Sequence, residues 1–543
     1  MNAPMPNAES ERPQPASGGD VAKRQIRGST LLLAGRGIGA LLNLAVQVLM
    51  VRHLSKSDYG DFAYAMALMM MGAHLVGLGL ERGVSRFVPI YHERRQFGAM
   101  AGTIVLALIA ILGCGAFAIA VLMALHNVLG PLLAPSPLAI SLTLVLVCAA
   151  PLQAIDDVLV RLFAIFASPR ALLFRRHLMT PSLRLAAVVA LIAFQGDAFF
   201  LAVVWVLAGL AGLGISLAIL FGVFRKQGLL AHFRPAELEI PARSVLRFSV
   251  PLLSTSGLLV ARANLVVFLL GAFQSSVQVA ALRAVTPLAN LNQTIFDTFK
   301  LLYSPAASRL YARGDRSGIN ALYWRTASWI VLLSFPVLAA TFAMAEPVAV
   351  LLLGAEYADS GTILAILSSA YFLNAAFGFN ALTLQVFGQV RAIVAIDAAT
   401  LVISVVTSLL LIPRYGALGG AIATCTSYVV QNALYQISLI RNGTLQMLDG
   451  SFGRVLTSVL AGTALVWVFA WEFEPPIAVG IAFAALVGLG VAALALPVLQ
   501  VGETFPELER FALVRWLSRR KLPPLEPPQA APGSSQPKEQ QSL

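Results

Sequence analysis

Long apolar runs recur through nearly the whole chain, and they restrict what it can fold into. About fourteen of them reach the length of roughly 20 residues that one helix needs to cross a bilayer. Only 12% of the 543 residues are charged, whereas charged residues make up about 25% of a typical soluble domain. A segment in lipid must satisfy its own backbone hydrogen bonds, so these runs predict helices. The sequence therefore predicts an all-α integral membrane protein with about 14 transmembrane helices.

The spacing of the runs also predicts how the chain is organised. They fall near residues 28–51, 62–81, 99–125, 138–160, 172–194, 198–224, 246–271, 277–303, 327–353, 361–387, 391–412, 416–440, 455–471 and 476–499. A basic, proline-interrupted connection at 225–245 separates the first six runs from the rest. We expect a disordered tail (1–22), a six-helix N-terminal lobe (23–241), a six-helix C-terminal lobe (242–444), an additional helix pair (445–505) and a basic, then Pro/Gln-rich tail (506–543).

The sign of the loop charges alternates along the chain, as it does on the two sides of a membrane. Basic residues cluster at the N-terminus and in every second loop, including Arg94, Arg95, Arg175, Arg176, Arg225, Arg313 and Arg316. The opposite loops are mainly acidic, as at Asp58, Asp61, Glu356 and Asp359. The positive-inside rule then predicts that both termini are cytoplasmic. The same rule accounts for the net charge of +12, so nucleic acid is not a predicted partner.

The first apolar run carries a polar seam. Arg36, Asn43 and Gln47 are separated by steps of seven and four, which place them on one helical face. An arginine near the middle of a membrane helix costs roughly 2.5–3.5 kcal/mol on insertion scales, so it normally faces protein or a water-filled cavity. The seam predicts a wall of a polar pathway. The alternative is an arginine that pairs with a buried carboxylate and fixes helix packing.

Three further stretches resemble a known family. The sequence RHLSKSDYGDFAYA at 52–65 is similar to the first-hairpin signature of bacterial polysaccharide transporters. SPAASRLYARGD at 304–315 and LLGAEYADSG at 352–361 resemble their loops after spans eight and nine. A faint repeat aligns Ala63 after span one with Ala281 after span seven, as in transporters built from parallel repeats. The family belongs to the multidrug/oligosaccharidyl-lipid/polysaccharide (MOP) flippase superfamily.

The resemblance implies a function and a location. It implies an O-antigen-type flippase that moves polyprenyl-diphosphate-linked oligosaccharide across the bacterial inner membrane, with two bundles alternating around a central cavity. The implied partners are this substrate, membrane lipid, and a polysaccharide polymerase or glycosyltransferases of the same pathway. No cofactor is implied. The three cysteines, Cys114, Cys148 and Cys425, lie in apolar runs without a Cys/His spacing, so no metal site is predicted.

A sugar diphosphate cannot cross hydrocarbon unaided, and guanidinium groups bind phosphate oxygens well. The clearest candidate for the wall of a substrate cavity is one face of span eight. Steps of four and three along this span align Arg283, Pro287, Asn290, Thr294 and Asp297. The other candidates for substrate binding lie in spans seven and ten; they are Arg262, Asn374 and Gln385. Arg262 and Arg283 could instead snorkel to the outer surface.

Acidic residues inside the spans are candidates for ion coupling. Asp156 and Asp157 form a pair in span four, and Arg161 lies four residues after Asp157, so a helix salt bridge is the simpler interpretation. The other coupling candidates are Asp297, His74 and Glu81, the last two on one face of span two; Asp397 is a further one. Histidine titrates near neutral pH, which suits a proton site.

Two other functions fit a protein of this composition. A drug or organic-cation antiporter of the same superfamily needs buried acids facing its cavity, whereas the seams in spans one, seven and eight are led by arginine. A membrane polysaccharide polymerase usually carries a sizeable extramembrane loop, and the longest internal connection is 225–245. The sequence therefore favours a transporter of an anion, not an enzyme.

Overall fold

The structure is a computed structural model that describes residues 18–133, 136–230, 238–441, 443, 449–497 and 499. Within these ranges, the side chains of 18–34, 36, 126–133, 169–170, 254–256, 258–259, 261, 263 and 301–302 are not described. The side chain of Arg36, residues 1–17 of the predicted N-terminal tail and the predicted C-terminal tail therefore lie outside the described residues. Residues 18–22 are helical, because α1 begins at Gly18.

Every regular element in the described ranges is a helix. The first half of the chain contains α1 (Gly18–His53), α2 (Lys56–Gly77), α3 (Leu80–Glu93), α4 (Phe97–Leu133), α5 (Pro137–Val147), α6 (Ala150–Phe166), α7 (Pro169–Leu173), a π-helical segment (Phe174–Met179), α8 (Thr180–Ala193) and α9 (Ala198–Lys226). The second half contains α10 (Ala242–Phe273), α11 (Ser276–Ala289), α12 (Leu291–Ala312), α13 (Arg316–Leu338), a second π-helical segment (Ala339–Ala343), α14 (Ala345–Leu353), a 3₁₀ turn (Ala355–Tyr357), α15 (Ser360–Phe377), α16 (Phe379–Val386), α17 (Val390–Arg441), α18 (Gly450–Phe473) and α19 (Ile477–Ala495).

Eight of the described helices are long and apolar enough to cross a membrane, and there are up to ten if each bent pair counts as one span. The bent pairs are α2 with α3 and α5 with α6, each bent by 42°. The 52-residue α17 is divided at Gly416, whose φ of 55° and ψ of −130° are not helical. The prediction of an all-α, multi-pass membrane protein is confirmed.

Polar residues mark several helix starts. The Ser55 hydroxyl accepts a hydrogen bond from the Asp58 backbone N–H at 3.1 Å, and Ser136 caps α5 through Ala139 N at 3.0 Å. Asp197 caps α9 in the same way, through Phe200 N at 2.8 Å. These caps satisfy N–H groups that have no partner inside the helix.

The bends interrupt spans that the sequence predicted as continuous. Leu78 and Gly79 both have positive φ, at 49° and 67°, which ends α2 and turns the chain into α3. A left-handed leucine leaves no signal in an apolar run, because leucine is otherwise a good helix former. The predicted span 62–81 therefore crosses a real break.

Helix α2 packs against helices from both halves of the chain. It contacts α5 and α6 from the first half and α10 and α11 from the second. The approach is close: a Cβ on Gly60 would lie 1.9 Å from the Ser276 carbonyl oxygen, and one on Gly271 would lie 2.0 Å from the Tyr64 ring. Glycine at these positions lets the helices meet at backbone distance, as small residues do in membrane bundles.

The turn between α1 and α2 also contacts the second half, and we call this end of the protein the hairpin face. Lys56 Nζ lies 2.8 Å from Asp359 Oδ1 and donates a hydrogen bond to the Glu356 carbonyl oxygen at 2.7 Å. Arg52 Nε donates to the Leu352 carbonyl oxygen at 2.9 Å. These contacts connect the α1–α2 turn to the segment between α14 and α15.

Candidate functional site

A cavity of about 600 Å³ lies among the helices of the second half, and we call it the C-terminal cavity. Its walls come from α10, α11, α12, α15, α16 and α17. Three cations line it, Arg262, Arg283 and Lys300, against a single carboxylate, that of Asp397. The described lining therefore carries an excess of positive charge.

Neither cavity arginine forms an ion pair with an acid in the part of the chain that the structure describes. Arg283 donates from Nη2 to Asn264 Oδ1 at 2.7 Å, and its buried Nε has no hydrogen-bond partner. The guanidinium carbon of Arg262 lies 4.8 Å from the centre of the Tyr428 ring, and its buried Nη2 has no partner either. Among the described side chains, no carboxylate oxygen lies within 4.0 Å of these two guanidinium groups. Buried donors without a partner have a large free-energy gain available from an anionic ligand.

Amides and phenols complete the cavity wall. Asn374 Nδ2 donates to Gln293 Oε1 at 2.8 Å, and Asn432 Nδ2 donates to Asn374 Oδ1 at 3.2 Å. The carboxylate of Asp397 is engaged separately: it accepts from Gln431 Nε2 at 2.7 Å and from the Tyr435 hydroxyl at 2.6 Å. These bonds fix the polar groups of α12, α15 and α17 relative to one another.

A second cavity of about 540 Å³ lies between α1 and the α11–α12 junction, and we call it the central cleft. Its lining includes Asn43, Pro287, Asn290, Thr294, Asp297, Lys300 and the π-segment residues Arg176 and His177. Asn290 and Lys300 line both cavities, so the central cleft and the C-terminal cavity adjoin there. The polar stripe predicted for span eight thus faces cavities along its whole length.

Two other predicted binding residues lie elsewhere. Gln47 donates from Nε2 to the Tyr59 hydroxyl at 2.6 Å and reaches the Ala284 carbonyl oxygen at 3.5 Å, so it joins α1 to α2 and α11. Gln385 lines a third, mainly apolar cavity beside Arg262. The seam predicted on α1 is thus divided: Asn43 faces the central cleft and Gln47 bonds neighbouring helices.

Four of the six candidates for ion coupling interact electrostatically in the first half of the chain; they are Asp156, Asp157, His74 and Glu81. The carboxylate of Asp157 accepts a hydrogen bond from Gln153 at 3.4 Å and interacts electrostatically with His74, Asp156 and Glu81. The other two lie apart from them: Asp297 lines the central cleft and Asp397 lines the C-terminal cavity.

Within this cluster, Asp156 forms an ion pair with Arg175, whose side chain is 2% exposed. Arg175 Nε also donates to Ser216 Oγ at 2.8 Å. The sequence grouped Arg175 with the loop cations. The structure instead buries it in the π-helical segment, where it contacts the carboxylate of Asp156 on α6. The expected partners of a salt bridge on α6 were Asp157 and Arg161, and the acid that is paired is Asp156.

Several lining residues were not predicted. Lys300 follows Asp297 by three residues and extends the span-eight stripe by one step, so the spacing held a signal for it. Tyr428, Gln431 and Tyr435 form a similar stripe on α17. Asn264 and Asn380 are isolated polar residues in apolar runs, and only tertiary packing brings them to the site.

The fold is similar to solved transporter structures. The lipid II flippase MurJ, in an inward closed conformation, matches with a TM-score of 0.66 and 12% identity over 88% of this chain and 99% of that chain. An inward-facing multidrug resistance MATE family transporter of the MOP superfamily matches with a TM-score of 0.63 and 16% identity over 76% of this chain and 98% of that chain. At these identities the likeness shows the fold.

A third similar structure is described by the polarity of its binding pocket. It is a MOP superfamily transporter from Pyrococcus furiosus, described by the reverse polarity of its binding pocket, with a TM-score of 0.54 and 17% identity over 77% of this chain and 96% of that chain. No curated protein matches this chain significantly by sequence.

The sequence itself matches a protein family over residues 26–311, just over half of the chain, and that family is described as "Polysaccharide biosynthesis protein". This match covers α1 from residue 26 onward, α2 to α11 and nearly all of α12, and it includes the first-hairpin motif at 52–65. The chain therefore belongs to the polysaccharide biosynthesis protein family.

Proposed function

We propose that this protein is a flippase for polyprenyl-diphosphate-linked oligosaccharide. It moves repeat units from the cytoplasmic to the periplasmic leaflet of the bacterial inner membrane, where they are used for surface polysaccharide or exopolysaccharide such as O-antigen. The observation that carries the proposal is that Arg262 and Arg283 line a 600 Å³ cavity, each with one buried nitrogen without a hydrogen-bond partner and neither with a carboxylate partner among the described residues. A diphosphate supplies the charge and the acceptor oxygens that these groups lack.

The helix pattern supports fourteen spans. Eight helices are candidates on their own, and the two bent pairs bring the number to ten. The remaining four spans are α1, α10, the pair α11–α12 and the second half of α17 beyond Gly416. The short apolar stretches Gly37–His53 and Asn264–Phe273 belong to α1 and α10. An even count keeps both termini on the cytoplasmic side, as the basic loops predict.

The same arrangement supports transport by alternating access. Helices α1–α9 and α10–α17 form two lobes, which meet at the hairpin face and leave the central cleft between α1 and α12. One lobe rocks against the other, as in transporters with repeated halves. The hairpin face is periplasmic, so the contacts of Lys56 and Arg52 close that side while the polar cavities lie on the cytoplasmic side of it. The helix pair α18–α19 packs beside α13.

An organic-cation antiporter is the alternative within the superfamily. A cationic drug in the C-terminal cavity would meet Arg262, Arg283 and Lys300, and the only described carboxylate there already accepts two hydrogen bonds. Like charges that meet in a desolvated site repel strongly. The reverse polarity described for the Pyrococcus furiosus transporter supports the idea that this fold accommodates pockets of either sign.

Transbilayer movement in proteoliposomes tests the proposal. The purified protein is reconstituted, a fluorescent polyprenyl-diphosphate oligosaccharide is placed in one leaflet, and its movement is followed by a membrane-impermeant quencher. A parallel assay follows an organic cation such as ethidium. We expect movement of the lipid and none of the cation. Export of ethidium without movement of the lipid would replace this function with the antiporter.

A further inference from the structure

Two segments from opposite halves of the chain pack against each other away from the hairpin face. They are residues 79–95, which include α3, and residues 238–250, which include the first turns of α10; we call their contact the α3–α10 junction. A Cβ on Gly79 would lie 2.6 Å from the Ser249 carbonyl oxygen, so the backbones approach closely. The rings of Phe87 and Phe248 pack edge to face with their centres 5.6 Å apart. The junction is therefore a direct contact between the two halves.

The exposed surface of the α3–α10 junction is basic. Its two segments hold six arginines and three glutamates. Arg86 of α3 and both Arg243 and Arg247 of α10 are exposed, and none of the three forms an ion pair within the described part of the chain. Helix α10 also begins here without a side-chain cap, so the positive end of its helix dipole adds to these charges.

The geometry holds cations of the two halves beside each other. The guanidinium carbon of Arg86 lies 4.4 Å from the centre of the Phe248 ring, so this α3 side chain rests on α10. Arg243 and Arg247 are four residues apart and share one face of α10. Val250 continues that face by three residues and is 46% exposed. The face thus passes from basic to apolar, as expected at the edge of a bilayer.

Charges of one sign on both sides of a contact repel each other. The acids of the same segments do not offset this repulsion: Glu81 lies 3.8 Å from Arg82, and Glu93 and Glu239 are exposed without an ion pair among the described residues. An anion bound between the halves would turn the repulsion into attraction, and guanidinium groups bind phosphate oxygens well. On the proposed topology the junction lies at the cytoplasmic leaflet, where anionic lipids attract clustered arginines.

We propose that the α3–α10 junction binds the phosphate of an anionic phospholipid of the cytoplasmic leaflet. Arg86 contacts the phosphate from one half of the chain, and Arg243 and Arg247 contact it from the other. The lipid bridges the halves and strengthens the contact between α3 and α10, so the lipid composition of the membrane regulates how readily the lobes move. The inference rests on the proposed topology and does not depend on which molecule the cavities carry.

Binding of two lipids with identical acyl chains tests the site. Native mass spectrometry of the detergent-solubilised full-length protein measures the affinity for phosphatidylglycerol and for phosphatidylcholine, and glycerol 3-phosphate serves as a soluble competitor. The test variants are Arg86→Gln and the double variant Arg243→Gln/Arg247→Gln. The matched control is Arg313→Gln/Arg316→Gln, which removes two exposed arginines from another loop on the same predicted side of the membrane.

We expect the wild type to bind phosphatidylglycerol at least about tenfold more tightly than phosphatidylcholine, because each arginine near the head group adds attraction. Both test variants should lose most of this preference, and the control should keep it. No preference in the wild type would overturn the site. An equal loss in the control would also overturn it, since surface charge in general would then be responsible. Displacement of the lipid by millimolar glycerol 3-phosphate would replace the lipid with a soluble anion.

A second measurement keeps the arginines intact, so it does not depend on the folding of a charge variant. Spin labels at Ser85 and Ser244, exposed positions on α3 and α10, report the distance between the two segments in lipid nanodiscs. We expect a shorter and narrower distance distribution in phosphatidylglycerol than in phosphatidylcholine. The same distribution in both lipids would show that the lipid does not bridge the halves.

Discussion

The carboxylate of Asp61, near the start of α2, accepts a hydrogen bond from the hydroxyl of Ser276, the first residue of α11. Its other oxygen accepts from Ser136 Oγ at 2.7 Å. Asp61 and Ser276 are 2% and 4% exposed, so the carboxylate depends on these donors for the hydrogen bonds that water would otherwise supply. Residues from the two halves of the chain meet here, at the hairpin face, and they must separate if that face opens.

The substitution Ser276→Ala should therefore loosen the hairpin face. The loss of a hydrogen bond to a buried charge costs about 1.5–3 kcal/mol, which is enough to change the ratio of two conformations by roughly tenfold or more. Spin labels at the exposed positions Ser57 and Glu356 report the separation. We expect longer and broader distances in Ser276→Ala. The neighbouring exposed serine provides the control, so Ser275→Ala should match wild type; an unchanged distance in Ser276→Ala would contradict this account.

Close packing at Gly60 gives a second test of the same face. A methyl group there would collide with the Ser276 carbonyl oxygen, whereas at Gly72 the nearest atom to an added Cβ lies 3.8 Å away. Both glycines are in α2, and alanine favours helix at each. Gly60→Ala should therefore lengthen the Ser57–Glu356 distance and slow lipid movement, while Gly72→Ala leaves both unchanged. Equal behaviour of the two variants would show that close packing at Gly60 does not matter.

The ion pair between Asp156 and Arg175 should stabilise the folded protein. Asp156→Ala leaves the buried guanidinium with only the Ser216 hydroxyl and a carbonyl oxygen as acceptors. Removal of one partner from a buried pair costs about 3 kcal/mol. We expect a lower thermal unfolding midpoint in detergent for Asp156→Ala, while Arg161→Ala, a change at an exposed arginine on the same helix, should stay near wild type. A similar fall in the unfolding midpoint of both variants would contradict a stabilising role for this ion pair.

We propose Asp157 as the better candidate for ion coupling, because its carboxylate is not in that ion pair and interacts electrostatically with His74 and Glu81. If transport is coupled to protons at this cluster, Asp157→Asn should fold normally and move the lipid at a rate that no longer responds to an imposed pH gradient. Proteoliposomes with and without the gradient provide the measurement. A rate that still responds in the variant would exclude Asp157 as the coupling group.

Local spacing in the sequence was sufficient to predict part of the site. The span-eight stripe from Arg283 to Asp297 lines the cavities because steps of three and four keep residues on one face of a helix, even across the short break at Asn290. The division of α17 was also predicted, since Gly416 follows Pro413 and permits the positive φ that the turn needs.

The remaining features depend on contacts between distant residues. Arg175 and Asp156 are 19 residues apart and meet only because the π-helical segment packs near α6. The partner of Arg283 is Asn264, a single amide in an apolar helix, and no pattern along the chain identifies it. The bend at Leu78 was missed because a leucine in an apolar run adopts the left-handed conformation there. The bend between α5 and α6 was missed because Cys148 and Ala149 are apolar residues that keep right-handed helical backbone angles.

The central claim is that the C-terminal cavity binds an anionic head group through Arg262 and Arg283. The most direct measurement is the rate of flipping of polyprenyl-diphosphate oligosaccharide in proteoliposomes for Arg283→Ala, Arg283→Lys and the control Arg414→Ala, which removes an exposed arginine outside the cavity. We predict a loss of about ten- to a hundredfold for Arg283→Ala, as expected for charged hydrogen bonds, partial recovery with lysine, and a wild-type rate for Arg414→Ala. A wild-type rate for Arg283→Ala, in protein that folds and inserts normally, would contradict the claim.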